Sequence, residues 1–429
     1  MRPLLFAWLA LTTVYAIAPV RVQTDSIWTI PTALSLVRDG DTDLSEYGAA
    51  VATTPHGLET TAAGSVHSTF PLGPALVAAP FLWVANQFAL LGQELPAPLS
   101  RPFTRWRTGI EPNPGVRLGF FDTTEVLIAS ALVAAGIIAF FIVCRAYAGP
   151  RVALVVTIVL AFGSPSLSTW TRALWSHGPA FASLAAAAAV LCAGRLRPAT
   201  LFLVGALAVF AVVCRPTAML PGGVLCAAAI AGAVERRRPL EAIAAILGAV
   251  AVAAPWLGWS QATWGRLLPP YYAVTRLEAS FADGLAALAG QLLSPSRGLF
   301  IYIPFLLLTF AIPWVRSRMR RVHVIALVLG AAHLLVASRF PHWWGGHCYG
   351  PRLSSDAVPF LLFACLPVVT PLAEARAGRW LLGSLVALCL FANAPGAFRW
   401  STWDWSGSPV DVDLEPARLW DWRDPQFMR

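Results

Sequence analysis

The sequence predicts an all-α protein that crosses a membrane many times. Hydrophobic residues make up 57% of its 429 residues and charged residues only 12%, whereas an average soluble domain carries about 25% charged residues. Nearly uncharged runs recur from one end of the chain to the other, on the scale needed to cross a hydrocarbon core of about 30 Å. This composition excludes a soluble enzyme, a disordered protein and a small secreted scaffold.

Twelve apolar runs are the candidate spans. All 31 basic residues are arginines, and they concentrate at the ends of these runs, where positive charge orients membrane helices. The net charge of +9 therefore indicates no nucleic-acid partner. We interpret the first run as a retained span rather than a signal peptide, because no small-residue cleavage site follows it. The runs are residues 3–20, 71–92, 120–143, 152–168, 179–194, 199–213, 217–233, 239–259, 298–315, 322–338, 353–372 and 379–398.

The arginine clusters set the predicted orientation. By the positive-inside rule they belong in the cytoplasm, and they all fall there when every run from residue 120 onward crosses once. Residues 21–70 and 93–118 then both lie outside, so the run 71–92 between them is not a simple crossing. We expect it to lie in the outer interface or to re-enter, because its three prolines disfavour an uninterrupted helix. The clusters are Arg145 with Arg151, Arg195 with Arg197, Arg236 with Arg237 and Arg238, Arg316 with Arg318, Arg320 and Arg321, and Arg376 with Arg379.

This arrangement predicts about eleven spans in a cytoplasmic (inner) membrane, with the N-terminus inside and the C-terminus outside. In the alternative, 71–92 spans and two of the runs between 179 and 233 form a single crossing. With the first arrangement the outer loops hold most of the acidic residues and five of the seven histidines. We therefore expect the chemistry on the extracytoplasmic face.

The first outer loop opens with Asp25, just past the first span. Asp25 is either a reactive carboxylate or only a helix-capping or interface charge. Apolar residues recur at helical spacing over 26–38, which predicts an amphipathic helix along the membrane. The acidic run 39–43 resembles an oxygen-ligand metal loop, but the rest of a calcium loop is absent, so a solvated turn is the better interpretation.

Four further candidates precede residue 220. His67 begins a segment punctuated by proline and glycine that enters an apolar helix. Arg172 and His177 share one membrane boundary with two tryptophans, and this combination is an anion-binding signal beyond the usual interfacial aromatics. Arg215 falls on the outer side, against the positive-inside trend, and arginines of this kind next to a cavity are often functional.

Two segments in the C-terminal half of the chain contain more side chains that could bind a substrate. Arg297 stands at the outer mouth of a span, and residues 340–352 form a short, crowded outer loop. Aromatic faces and guanidinium groups suit sugar rings and phosphate oxygens. The side chains that give the loop this character are His342, Trp343, Trp344, His347, Tyr349 and Arg352.

No strong motif indicates a cofactor. A zinc site from His342, His347 and a carboxylate is an alternative, but the spacing of these residues matches no strong zinc motif. The seven cysteines lie mostly inside apolar runs and include no CxxC pair, so they indicate neither disulfides nor a thiolate metal site. We predict no metal and no other cofactor, with a divalent metal as the alternative.

The combination resembles bacterial GT-C-fold glycosyltransferases that use lipid-phosphosugar donors, the class containing protein mannosyltransferases and aminoarabinose transferases. The acid after the first span and the long first outer loop carry the resemblance, together with HSTFPLGPALVAAPF, WWGGHCYGPRLSSDAVPF and the closing RLWDWRDPQFMR. It covers most of the chain and implies a GT-C-like bundle with juxtamembrane helices in the first outer loop (21–118). The chain has Ser26 where many relatives carry a second acid, which puts metal dependence in doubt, and Pro-Leu-Gly where many have Pro-Pro-Gly.

The expected function is transfer of one sugar, with inversion, from a polyprenyl-phosphate donor to an extracytoplasmic glycan, lipid or protein. Asp25 would be the general base. Candidates for the leaving phosphate are Arg215, Arg297 and Arg352, with Arg172 behind them, and the further substrate-binding candidates are His67, His177, His347 and Tyr349. Two alternatives stay open: a transporter or flippase for lipid-linked sugars, and a non-catalytic assembly subunit.

The predicted membrane domain ends at residue 398, and residues 399–429 form a tail rich in tryptophan and aspartate. The tail is too polar to span a membrane and too aromatic to be a disordered solvating segment. It forms either an aromatic belt on the lipid headgroups or a lid that folds back over the outer loops. In either case it lies on the predicted outer face.

Overall fold

A computed structural model describes residues 2–22, 24–88, 118–194 and 196–429. Nearly all of the predicted outer loop 93–118, together with Arg195 of one arginine cluster, lies outside the described residues. The part of the chain that is described is mostly helical, and the prediction of an all-α class is confirmed.

Helices account for most of the described residues. In chain order they are α1 (Arg2–Ile17), α2 (Thr29–Arg38), α3 (Gly48–Thr53), α4 (Gly73–Gln87), α5 (Leu118–Tyr147), α6 (Pro150–Phe162), α7 (His177–Cys192), α8 (Pro198–Cys214), α9 (Met219–Glu235), α10 (Pro239–Trp264), α11 (Phe281–Leu293), α12 (Leu299–Tyr302), α13 (Arg321–Ala337), α14 (Val358–Ala364), α15 (Leu366–Glu374), α16 (Arg376–Phe398) and α17 (Ser401–Asp404). Tighter helical turns cover Ser45–Tyr47, Pro216–Ala218, Pro270–Tyr272, Val274–Arg276, Pro304–Arg318, Leu353–Ala357, Pro416–Trp420 and Gln426–Met428, and a wider turn covers Ser166–Trp170. Strands β1 (Leu58–Thr60) and β2 (Val66–Ser68) form an antiparallel pair in which Glu59 faces His67.

Each of the predicted apolar runs overlaps a helical segment. Within the described ranges, four helices are long and apolar enough to cross a membrane, and a fifth span results if Leu353–Ala364 and Leu366–Glu374, bent by 53°, count as one. Six further apolar helices are 10–17 residues long. The chain is therefore a helical protein of membrane-embedded type. The four long helices are Thr123–Tyr147, Pro216–Glu235, Pro239–Trp264 and Arg376–Phe398.

The chain divides into two compact units. The first consists of Met1–Ile17, Arg21–Gly136 and Thr171–Ala273, and the second of Ala18–Val20, Ile137–Trp170 and Val274–Arg429. The tail 399–429 is part of the second unit. The predicted site residues divide accordingly: Asp25, His67, Arg172, His177 and Arg215 are in the first unit, and Arg297, His347, Tyr349 and Arg352 are in the second.

In the first unit, the predicted amphipathic helix is present as α2. It begins at Thr29 rather than at residue 26, which places Pro31 in the first turn, where a missing N–H costs no helical hydrogen bond. Its apolar face, including Ile30 and Leu34, is fully buried against α4 and against Ile128 of α5. The apolar face of α2 is therefore packed inside the protein.

Helix α4 is the described part of the apolar run 71–92. Its 15 residues span about 22 Å at 1.5 Å per residue, short of the roughly 20 residues that a crossing requires. One face packs on α2 through Ala78 and Leu82, and the other exposes Phe81 and Val84. A side chain at Gly73 would meet the backbone of Cys214. Helix α4 is thus anchored at its start to the end of α8.

Helices α8 and α10 of the first unit approach each other through glycine. A Cβ at Gly205 would overlap the carbonyl of Ala245, and one at Gly248 would overlap the carbonyl of Phe202. Small residues at such positions let membrane helices pack backbone to backbone. The two glycines therefore set the spacing of this helix pair.

We expect Gly248→Ala to lower the apparent unfolding temperature of the purified protein by several degrees, because overpacking costs about 1–3 kcal/mol. The control is Gly258→Ala in the same helix, where a Cβ would meet nothing within 4 Å. Alanine favours a helix over glycine by up to about 1 kcal/mol, so this control should be neutral or stabilising. Equal behaviour of the two variants in a thermal unfolding assay would contradict the close-packing account.

Candidate functional site

The segment that follows α1, which the sequence predicts as the first outer loop, folds into a small lobe that holds Asp25. Trp28 is fully buried at its centre and packs with Leu44 and Tyr47. The Trp28 indole donates a hydrogen bond to the backbone carbonyl of His56 at 3.1 Å, which fixes the segment that faces Asp25. A buried indole thus positions the neighbourhood of the predicted base.

Asp25 lies beside an imidazole. Its Oδ1 is 3.3 Å from Nε2 of His56, and the Asp25 side chain is 27% exposed while that of His56 is 63% exposed. A carboxylate that is partly accessible and held by a neighbouring ring can accept a proton from a bound hydroxyl. The geometry at Asp25 is therefore compatible with general-base chemistry. The sequence places His56 on the outer face but does not single it out as a site residue.

His67 is buried in the same lobe and connects Thr42 with Ser65. Its Nδ1 is 2.8 Å from the Thr42 carbonyl and its Nε2 is 2.9 Å from Ser65 Oγ. Because a carbonyl only accepts, Nδ1 carries the proton and Nε2 accepts from the serine hydroxyl. Trp259 Nε1 also donates to Thr42 Oγ1 at 3.1 Å. His67 therefore positions Thr42.

An open pocket lies beside these residues; its cavity volume is about 20 Å³, within an empty space of about 330 Å³ that includes open solvent. Aromatic rings and hydroxyl groups share its wall, a composition typical of small-molecule sites with a few orienting polar groups. The lining residues are Trp28, Thr29, Thr32, Thr42, His67, Ser68, Phe70, Pro71, Leu72, Ala75 and Trp259.

The acidic run 39–43 is a hydrogen-bonded turn. Asp41 Oδ1 accepts from the Asp43 amide at 3.1 Å, and Asp43 Oδ1 accepts from the amides of Ser45 and Val66 at 3.1 and 2.8 Å. Burial opposes ionisation of Asp43, but these bonds outweigh it and lower its pKa. The carboxylates thus join the turn to the hairpin, as expected of a turn rather than a calcium loop.

A buried acid that the sequence analysis missed contacts Ser26, the residue after Asp25. Glu125 of α5 is fully buried, and its Oε2 accepts a hydrogen bond from Ser26 Oγ at 3.1 Å. Ser26 directly follows Asp25. An acid inside an apolar run is costly and is by default a sign of function. That signal was present in the run 120–143 and would have identified Glu125.

Arg172 is buried near the start of the same lobe. Its Nη2 donates to the Tyr15 carbonyl at 2.7 Å and to Thr171 Oγ1 at 2.8 Å. The Val22 amide donates to the Arg172 carbonyl at 3.1 Å. Burial, and after it the positive charge of Arg21, lowers the pKa of Arg172. The Arg172 guanidinium is therefore held by protein groups in this part of the first unit.

Arg215 contacts the residue that precedes His177 at the start of α7. Arg215 Nη1 donates to Ser176 Oγ at 2.9 Å, and Ser176 directly precedes His177. Both predicted residues are buried, at 1% and 6% exposure. Within the first unit, the structure thus brings Arg215 to the neighbour of His177, a residue distant from it in sequence.

In the second unit, Arg297 is fully engaged by protein groups. It is 1% exposed, and its guanidinium lies 5.7 Å from the ring centroid of Trp405. Its five N–H groups are matched by five acceptors on the 340–352 loop, the tail and its own neighbour. These are the carbonyls of Trp344, Ser296 and Gly346, Gln426 Oε1 and Ser406 Oγ.

Tyr349 and Arg352 are also held in place by the protein. The Tyr349 hydroxyl donates to the Ala392 carbonyl at 2.6 Å, and its ring is fully buried. Arg352 is 9% exposed, and its Nη1 lies 3.4 Å from the Gly345 carbonyl, which it donates to. Both side chains therefore shape the loop that carries them.

The tail folds back on the second unit rather than resting only on lipid. Trp403 and Trp405 are each 2% exposed, whereas Trp422 is 61% exposed. Gln426 is fully buried and donates to the Cys348 carbonyl at 2.8 Å. His347 Nε2 lies 2.9 Å from Oδ1 of the tail residue Asp411.

Comparison of the chain with protein-family models, with curated proteins and with solved structures gives no match. The resemblance to GT-C glycosyltransferases therefore rests on the sequence segments alone.

Proposed function

We propose that this protein is a membrane glycosyltransferase that moves one sugar from a polyprenyl-phosphate donor to an acceptor. The observation that carries the proposal is the setting of Asp25. This partly exposed carboxylate lies beside His56, and the next residue, Ser26, is hydrogen-bonded to the buried Glu125. A partly accessible carboxylate in contact with an imidazole is suited to accept a proton from a bound hydroxyl.

The proposed reaction is a single displacement with inversion at the anomeric carbon. Asp25 accepts the proton of the acceptor hydroxyl, whose oxygen forms the new bond to that carbon. The bond from the anomeric carbon to the phosphate oxygen breaks at the same time, and polyprenyl phosphate leaves with the electron pair. The leaving group needs charge stabilisation more than it needs an acid. The acceptor is a glycan, a lipid or a protein.

The positive charge for the leaving phosphate comes, in this proposal, from the first unit. Arg172 and Arg215 are buried there, where guanidinium groups act in a low dielectric and bind phosphate oxygens in pairs. His177 lies beside the residue that Arg215 contacts and would complete the anion site. His67, through Thr42, would orient sugar hydroxyls in the pocket.

We assign two roles to the predicted residues of the second unit. Arg297 and Tyr349 are positioning residues, because all five N–H groups of the first and the hydroxyl of the second are used within the protein. His347 is partly exposed and remains our candidate for substrate contact, whereas Arg352 is buried and donates to the Gly345 carbonyl, so we assign it a positioning role.

We also propose about eleven crossings of the cytoplasmic membrane, with the C-terminus and the site outside. The overlap of every apolar run with a helical segment is consistent with this proposal, and four or five of the described helices are long and apolar enough to cross. The short, proline-containing α4 supports an interfacial or re-entrant segment. A polyprenyl tail stays in lipid, so a site at the outer interface meets the reactive end of the donor. Membrane lipids are accordingly the expected surroundings, with no role for nucleic acid.

The first test is a donor screen. Membranes containing the protein are incubated with a panel of radiolabelled polyprenyl-phosphate hexoses and pentoses, and transfer of label to glycan, lipid and protein fractions is measured. We expect one donor to give transfer that membranes without the protein lack. Failure of every donor would contradict the proposal and favour a transporter or an assembly subunit.

The substitution Glu125→Gln tests whether Glu125 holds the proposed general base, Asp25, in position. Because Glu125 acts through Ser26, we expect the substitution to lower kcat by roughly 10–100-fold through misplacement of Asp25. KM should change little. The matched control is Glu59→Gln, an exposed acid of the hairpin, which should leave both constants unchanged. A rise in KM with unchanged kcat would instead place Glu125 in substrate binding.

A further inference from the structure

Three metal-ligating side chains from distant parts of the sequence meet in the second unit. His347 Nε2 is 2.9 Å from Asp411 Oδ1 and 3.8 Å from Asp413 Oδ2. One ligand atom from each residue lies within 4.8 Å of the other two. His342, which the sequence paired with His347 as a zinc alternative, is not in this group, and both carboxylates come from the tail.

A turn on one side and buried packing on the other place the two segments beside each other at the group. On the loop side, Gly345 and Gly346 have φ values of 76° and 68°, a conformation that glycine adopts without strain. On the tail side, Val412 stands between the two acids and is fully buried in a cluster with Trp344. Ligands carried by a fixed backbone lose little entropy when a metal binds.

A hydrogen bond from Trp344, which is not a proposed ligand, orients the carboxylate of Asp413. Trp344 Nε1 donates to Oδ1 of Asp413 at 2.6 Å, while Oδ2 of Asp413 is the oxygen nearest to His347. Metal-binding carboxylates are commonly held in this way by a hydrogen bond to the oxygen that does not bind the metal. The indole thus leaves one Asp413 oxygen directed at the position where the three ligands converge.

The spacing and the charge of the group suit a divalent cation. Bonds of about 2.0–2.2 Å to nitrogen and oxygen in a tetrahedral site separate neighbouring ligands by roughly 3.3 Å, within the range of the distances between these three side chains. Two carboxylates this close repel each other, and a divalent ion relieves the repulsion. The ligand side chains are 28–42% exposed, so solvent has access and a fourth position is open.

We propose that His347, Asp411 and Asp413 bind one zinc ion, with a fourth position open to water or to an oxygen of a substrate. An imidazole in the ligand set favours zinc over magnesium, which prefers oxygen ligands and keeps its waters. The ion would tie the tail to the 340–352 loop. This proposal is independent of glycosyl transfer, because zinc binding is measured without donor or acceptor.

The test is a zinc titration of the purified full-length protein after treatment with a chelator. Isothermal titration calorimetry gives the affinity, and elemental analysis after dialysis gives the stoichiometry. We expect one zinc per chain, an affinity at least about tenfold weaker in His347→Ala and in Asp413→Asn, and a rise in unfolding temperature with zinc that is smaller in these two variants than in the wild type. The controls are His342→Ala in the same loop and Asp421→Asn in the same tail, which should bind like the wild type.

Two results would contradict the proposal of a zinc site. One is a wild-type protein that binds no zinc at one equivalent, in which case the three residues form only a histidine–carboxylate ion pair. The other is full affinity in both ligand variants. Unfolding curves without zinc identify a variant that fails to fold, and Asp411→Asn then replaces it. Tighter binding of magnesium than of zinc would refute the assignment of the ion.

Discussion

Asp25→Asn is expected to lower kcat for sugar transfer by about 10²–10⁴-fold, the usual contribution of a positioned general base. The amide keeps the size of the side chain but cannot accept the proton of the acceptor hydroxyl. KM for the donor should change little, because in this account Asp25 acts on the acceptor. The measurement is initial-rate kinetics with the donor that the screen identifies.

The control for this prediction is Asp39→Asn, an exposed acid at the end of α2 in the same loop. It should transfer sugar at the wild-type rate. If Asp25→Asn retains full kcat while the protein is inserted and folded, Asp25 is not the base. Loss of activity in both variants would point to the charge of the whole loop rather than to one proton acceptor.

Arg297→Ala is expected to cause a large loss of stability, greater than that of Gly248→Ala. It removes a buried cation and leaves acceptors on the loop and the tail unsatisfied, at a cost of about 3–5 kcal/mol. For a protein of this size we expect the apparent unfolding temperature in detergent to fall by roughly 10 °C. The measurement is a thermal unfolding curve of each purified variant.

Arg423→Ala is the matched control, since Arg423 is an exposed arginine of the tail. Gln426→Ala tests the same network from the other side, because Gln426 Oε1 accepts from Arg297. The double variant should lose less stability than the sum of the single variants, as expected for residues in contact. Full stability of Arg297→Ala, or strict additivity with Gln426→Ala, would contradict this account.

Much of the fold can be predicted from the order of apolar and charged residues along the sequence. Apolar runs locate the helices because burial of a helix in lipid depends on its own composition. Over residues 26–38 the apolar periodicity predicts a helix but not the residue at which it begins. The helix begins at Thr29, with Pro31 in its first turn. The bend between α14 and α15 depends on packing and could not be read from hydropathy.

The site was harder to predict, because its contacts join residues far apart in sequence. His347 and Asp411 are 64 positions apart, and no local spacing reveals such a pair. Arg297 looked like a phosphate ligand at the mouth of a span, but only the folded tail supplies the acceptors that occupy it. Glu125 was detectable in principle, since a carboxylate within an apolar run is a signal in itself.

We propose that this chain, without a partner, cleaves the bond between a sugar and a polyprenyl phosphate. The most direct measurement uses the purified protein in liposomes with the labelled donor and an acceptor, and follows release of free polyprenyl phosphate together with labelled product. We expect both to appear in equal amounts and to depend on Asp25. Movement of intact donor between leaflets without cleavage would contradict the claim and identify a flippase, and donor left unchanged in place would identify a non-catalytic subunit.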